Sequence, residues 1–226
     1  MSAICKSPKT ANREIGVPRP GWHSRGYLPH FDSPEATQHV TFHLADSLPQ
    51  AALVRLEAEL RFLPEAKRDI ERRKLLDAYT DAGHGNCILR RPAIAEVVER
   101  SFFSFDAQRY RLLAWVVMPN HVHVLFQPVS GFAVEKIVGS WKKFTARKIC
   151  DALCVNDQDA IAPVWHREYW DRYIRDENHL TRAIEYIHQN PVKARLCSSP
   201  EGWRWSSAFP GNANLPIGGG GVDFER

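Results

Sequence analysis

The chain has little cysteine and makes no paired use of it. Cys5, Cys87, Cys150, Cys154 and Cys197 are scattered and odd in number, without a CxxC pair. That pattern argues against a structural zinc site and fits a reducing compartment. Long apolar runs are missing as well. No stretch approaches the roughly 20 residues of a membrane span, and the opening MSAICKSPKT lacks the apolar core of a secretory leader. These absences predict a cytoplasmic protein with no membrane partner. There is no internal repeat. Charge of one sign is scarce overall: the formal net charge is +4 over 226 residues, with 44% hydrophobic and 25% charged residues. This is the composition of an ordinary globular protein, long enough to bury a good core as one domain with extensions.

What charge there is sits locally. Residues 1–30 hold five basic residues against one acidic. Residues 133–150 hold Lys136, Lys142, Lys143, Arg147 and Lys148 against Glu135. Such clusters suit a polyanion, although a solvated helix face is the commoner explanation.

Three segments follow from the patterning. Residues 1–30, rich in Pro, Gly and basic residues and without periodicity, form a basic arm. Residues 31–209 form the main domain, with a helical insert over about 48–105. Residues 210–226, with their GGGG run, form a disordered tail. Within the domain, HVTFHLAD (39–46) alternates as a strand. Leu53, Leu56, Leu60 and Leu63 share a helical face, and Pro64 starts a second helix through about Tyr79. RPAIAEVVERSFF opens another helix, and YRLLAWVVM and HVHVLFQP form two strands across a short turn at Pro119-Asn120. Residues 133–150 predict a long helix with Val134, Ile137, Val138, Trp141 and Thr145 on one stripe. A strand over about Tyr169 to Arg175 precedes a helix that should end at Asn190, because Pro191 follows. The expected class is α+β: a ferredoxin-like antiparallel sheet, helices packed on one face and the other face open.

Two histidines interrupt an apolar strand in WVVMPNHVHVLFQP. Strand side chains alternate, so His121 and His123 share the face opposite Val122, Val124 and Phe126. Imidazoles at i, i+2 can both reach one metal ion; alone, the pattern favours two satisfied surface histidines. On the helix 177–190 the core stripe is Leu180, Ala183, Ile184 and Ile187, and Tyr186 and Asn190, one turn apart, fall together on its flank. Tyr186 could equally be a rim residue and Asn190 a helix cap.

The ordered set MPNHVHVLFQP, then YIHQNPVKA about sixty residues later, resembles the single-tyrosine HUH transposases, in particular the REP-associated tyrosine transposase branch. GYLPHFD (26–32), VTFHLADSLP (40–49), YWDRYIRDENH (169–179) and WRWSSA (203–208) support the likeness, which covers roughly residues 20–210. The resemblance implies a divalent-metal site, Mg²⁺ or Mn²⁺, held by His121, His123 and the Asn190 amide, with Tyr186 as nucleophile. It implies cleavage and rejoining of single-stranded or hairpin DNA at REP-like palindromes through a 5′-phosphotyrosine link. Lys142, Lys143 and Arg147 of WKKFTARK, and Arg19, Arg25 and Tyr27 of the arm, are then the candidate DNA contacts, and the expected state is a monomer. Two other functions compete. One is a domesticated hairpin-binding module with little catalysis, which has no need of a tyrosine nucleophile. The other is a metal hydrolase using water, whose HxH belongs to a larger barrel than this chain can build.

Overall fold

The computed structural model describes residues 21–24, 29–32, 36–48, 54, 58–153 and 163–212. Arg19, Arg25 and Tyr27 lie outside them, as does the tail beyond Asn212. Two short strands, β1 (Gly21–Ser24) and β2 (Pro29–Asp32), pair as an antiparallel hairpin. Residues 21–30, expected to be without structure, therefore include strand. GWHS and PHFD carry aromatic residues that favour the extended backbone, but four residues are too few to show alternation.

The main sheet contains β3 (Gln38–His43), β4 (Tyr110–Val117), β5 (His121–Pro128) and β6 (Trp170–Tyr173). Its spatial order is β4-β5-β3-β6, with every neighbouring pair antiparallel. The helices are α1 (Glu65–Asp81), α2 (Pro92–Phe103), α3 (Val134–Ala152) and α4 (Glu177–Lys193). The sheet's strands thus run βαββαβ, with the first strand in the interior: the ferredoxin-like arrangement expected.

The alternation in each strand sorts its side chains between two layers. Val40 and Phe42, Trp115 and Val117, and Val122, Val124 and Phe126 join one buried cluster with Ile94, Val98 and Phe102 of α2 and Ile137, Val138 and Trp141 of α3. Each such side chain contributes roughly 1.5–3 kcal/mol on full burial. The opposite face is not open. Ala114, Val116 and Leu125 are apolar there and need cover, which Ala183 and Ile187 of α4 supply. The histidine face therefore lies under a helix, not under solvent.

Helix α4 begins at Asp176, whose carboxylate accepts from the His179 N–H. It passes Asn190 and ends at Lys193, with Pro191 inside it. Proline forfeits one backbone donor, but the last turn still closes through Ala194 N–H to Asn190 O (3.0 Å) and Leu196 N–H to Pro191 O (2.9 Å). At the other end of the domain, Pro210–Asn212 forms a 3₁₀ turn and Asn212 is buried, so the folded body passes the expected boundary at 210. Among the described residues no helix is long and apolar enough to cross a membrane.

Candidate metal and tyrosine site

The register of β3 against β5 assembles the site. Thr41 lies opposite His123 and His43 opposite His121, so His39, Thr41 and His43 share the face of the two HxH histidines. His121 and His123 are 0% and 1% exposed, with ring centroids 4.9 Å apart. The Thr41 hydroxyl meets His123 Nδ1 at 2.7 Å, and Asn120 Oδ1 meets His121 Nδ1 at 2.8 Å. Each ring is thus held by one nitrogen, and the Nε2 atoms turn to a common pocket.

Helix α4 lays its flank over this pocket. Asn190 is fully buried, and its Nδ2 lies 3.2 Å from His123 Nε2. One turn earlier, the Tyr186 ring stands edge-on to His123 at 5.3 Å and to His39 at 5.8 Å. Lys193 sets its ammonium 4.9 Å from the Tyr186 ring centroid. Tyr186, His121, His123 and Asn190 thus lie together in one place.

Asp81 joins them without any warning from the sequence. It is the last residue of α1, and its Oδ1 lies 3.5 Å from His121 Nε2. Asp81, His121 and His123 each aim one ligand atom into a space where all three atoms lie within 4.8 Å of one another. His121 Nε2, Asp81 Oδ1 and Asn190 Oδ1 are buried and accept no hydrogen bond. Burial pushes the His121 imidazole down to about 3 and holds His123 well below the usual histidine range. Burial also raises the Asp81 carboxyl, against the opposing effects of the Asn190 side chain and the Lys193 charge. His121 Nε2, Asp81 Oδ1 and Asn190 Oδ1 thus face the pocket as acceptors without a donor of their own, while Asn190 Nδ2 lies at His123 Nε2. A divalent cation satisfies all of them at once, so the residues present fit a metal.

Residues 91–190 match the family model described as transposase, IS200-like. That range runs from the start of α2 to Asn190 and contains both histidines, Tyr186 and Asn190.

Over that range the chain is similar to the IS200-like transposases.

A protein assigned as a REP-associated tyrosine transposase in Haemophilus influenzae is 29% identical over 116 residues, covering 48% of this chain and 65% of that protein. A REP-associated tyrosine transposase of Escherichia coli is 24% identical over 98 residues, 43% of this chain and 54% of its own length. The chain therefore spans less than two thirds of the length of either relative in these matches. A REP-associated tyrosine transposase bound to a REP hairpin has a TM-score of 0.47 and 20% identity to this chain, covering 90% of this chain and 96% of that one.

Asp81, and the strand carrying His39, Thr41 and His43, precede the range matched by the family model. Of the expected DNA contacts, Lys143 and Arg147 are exposed on α3, the helix layer on the far side of the sheet from the histidines. Lys142 is engaged. Its ammonium donates to the carbonyls of His166 (2.7 Å) and Arg167 (2.8 Å), and burial lowers it to about 8. Near the site, His43 stacks on His166 at 4.6 Å and on Trp170 at 4.8 Å, which extends the aromatic face toward β6.

Proposed function

We propose that the chain cleaves and rejoins single-stranded DNA at REP-like hairpins, through a 5′-phosphotyrosine link on Tyr186 and with a divalent metal, Mg²⁺ or Mn²⁺. The observation that carries this reading is the placement of Tyr186 against His123, at the edge of a buried pocket where His121 Nε2, Asp81 Oδ1 and Asn190 Oδ1 have no hydrogen-bond partner. His121 and His123 would hold the metal with Asp81, and a half-turn of the Asn190 amide would bring Oδ1 in as a further ligand. When bound, the cation supplies charge stabilisation at a non-bridging phosphate oxygen.

The chain's own groups supply the rest. The Tyr186 phenol oxygen attacks phosphorus, the O3′–P bond breaks, and the 3′-hydroxyl leaves with a proton. Lys193 keeps a positive charge beside the ring as the phenol oxygen gives up its proton. The phosphotyrosine bond conserves the energy of the bond it replaces, so a 3′-hydroxyl can reverse the step without ATP. Tyr186 and every candidate ligand come from one chain, which supports a monomer with one complete site. Lys143, Arg147 and the basic arm with Arg19, Arg25 and Tyr27 are the proposed phosphate-contacting surfaces.

The test is one incubation of full-length protein with an end-labelled REP-type hairpin oligonucleotide carrying a single-stranded flank, with Mn²⁺. A denaturant-resistant protein–DNA adduct that chelator prevents supports the reading. Cleavage without an adduct would point instead to water as the nucleophile, and hairpin binding without cleavage to a binding module.

A further inference from the structure

Neither histidine of the HxH motif can serve a metal unless its free nitrogen carries a lone pair. For His121 the structure fixes that condition through a chain of one-way hydrogen bonds. The His84 carbonyl can only accept, and it accepts from Asn120 Nδ2 at 3.0 Å. That settles which end of the Asn120 amide points where. Its Oδ1 is left 2.8 Å from His121 Nδ1. An amide oxygen also only accepts, so His121 Nδ1 must carry the proton. Nε2 of the neutral ring then holds a lone pair, and Nε2 is the atom facing Asp81 across 3.5 Å. His123 is held differently: the Thr41 hydroxyl at its Nδ1 can donate or accept, and Asn190 Nδ2 lies at its Nε2.

Asn120 is itself immobilised. It is 1% exposed, and its carbonyl accepts from Leu44 N–H at 2.8 Å. The neighbouring Pro119 carbonyl accepts from Leu89 N–H at 3.2 Å. His84 sits three residues after Asp81, in a loop turned by Gly83 and Gly85, with φ of 73° and 87°. That loop is pinned again where Asn86 N–H donates to Asp46 Oδ2 at 2.7 Å. A single side-chain amide therefore joins the strand that bears the histidines to the loop that follows Asp81.

We propose that Asn120 is a positioning residue for the metal centre: it holds His121 with its proton on Nδ1 and ties the Asp81-bearing loop to β5. The assignment rests on the metal-site reading above and adds a residue that touches neither metal nor DNA.

The test uses full-length protein labelled with ¹⁵N-histidine and freed of metal by chelation. The His121 resonances are assigned by their loss in His121→Gln. The expected wild-type tautomer is Nδ1–H. Mn²⁺ affinity, followed by electron paramagnetic resonance, is then compared with Asn120→Ala and Asn120→Asp. Loss of the acceptor in Asn120→Ala should release the tautomer and weaken Mn²⁺ binding by about 10–100-fold, the usual effect of removing an outer partner of a ligating histidine. Asn120→Asp keeps an acceptor against Nδ1 and should preserve the tautomer and much of the affinity. A wild-type His121 with its proton on Nε2 overturns the proposal, even if neither variant folds. So does an Asn120→Ala variant with unchanged tautomer and unchanged Mn²⁺ affinity. A wild type that shows the Nδ1–H form but binds no Mn²⁺ removes the metal-site reading, and the positioning role with it.

Discussion

Asp81 is a carboxylate set against a lone pair, and this sets expectations at the scale of single residues. Asp81→Asn removes a half-buried carboxylate whose Oδ1 has no hydrogen-bond partner. The variant should lose at least about tenfold in Mn²⁺ affinity, in line with the loss of an anionic ligand. In chelator it should be no less stable than wild type, as measured by urea denaturation. Asn190→Ala should cost less metal affinity than Asp81→Asn, because water can replace a neutral amide. The opposite order would make Asn190 the principal third ligand. The histidines give a pH dependence. Burial lowers His39 to about 4 and His43 and His121 to about 3. The unfolded chain titrates near 6.5, so below that value it binds protons that the fold refuses. Stability is then full above about 6.5 and falls as pH drops toward the folded values, by at most about 1.4 kcal/mol per pH unit for each such histidine. Urea midpoints of chelated protein should therefore fall between about pH 7.5 and about pH 5.5. His43→Gln should flatten that fall, and a flat wild-type curve would mean that these rings are not held neutral.

At the scale of elements, α4 does two jobs with adjacent faces. Ala183 and Ile187 seal the sheet, while Tyr186 and Asn190 reach the histidines. Ile187 is fully buried, so Ile187→Ala should cost about 2–5 kcal/mol. If α4 also aims the nucleophile, the adduct rate of this variant should fall at a temperature where it remains folded. The stripe of α4 and the pairing of Tyr186 with Asn190 were legible in the sequence, because a helical period is local and needs no partner. So was the division of β5 into a core face and a histidine face. Asp81 was not. A single aspartate at a helix end carries no pattern, and its place depends on how α1 docks, which is set by distant contacts. His39 and His43 were half legible: the alternation of Val40 and Phe42 implied a second face, but only the register with β5 shows whom that face meets. Pro191 misled because the rule for proline in a helix interior is relaxed in a last turn whose carbonyls find other donors.

For the whole molecule, the sheet is closed along β4 by a C-terminal strip. Val117 N–H donates to Trp205 O at 2.8 Å, Ser207 N–H to Trp115 O at 3.0 Å, and Trp203 Nε1 to Val117 O at 3.0 Å. Asn212 locks the strip to α2 by donating to the buried Glu99 at 2.9 Å and accepting from Arg204 at 2.8 Å. Asn212→Ala should cost about 1–3 kcal/mol by leaving part of Glu99 unsatisfied, read as a lower urea midpoint with the metal site unchanged. DNA affinity should report the basic surfaces. Lys143→Ala and Arg147→Ala should each lower the salt slope of hairpin binding by about one unit, whereas Lys142→Ala should act mainly on stability, through the two carbonyls it ties.

The most direct measurement is the labelled-hairpin reaction run with wild type, Tyr186→Phe and chelated wild type side by side. Only the hydroxyl separates phenylalanine from tyrosine, so Tyr186→Phe should fold, bind the hairpin with unchanged affinity and form no denaturant-resistant adduct. The wild type should form one with Mn²⁺ and none in chelator. An adduct of normal yield in Tyr186→Phe, or in chelated wild type, would contradict the account.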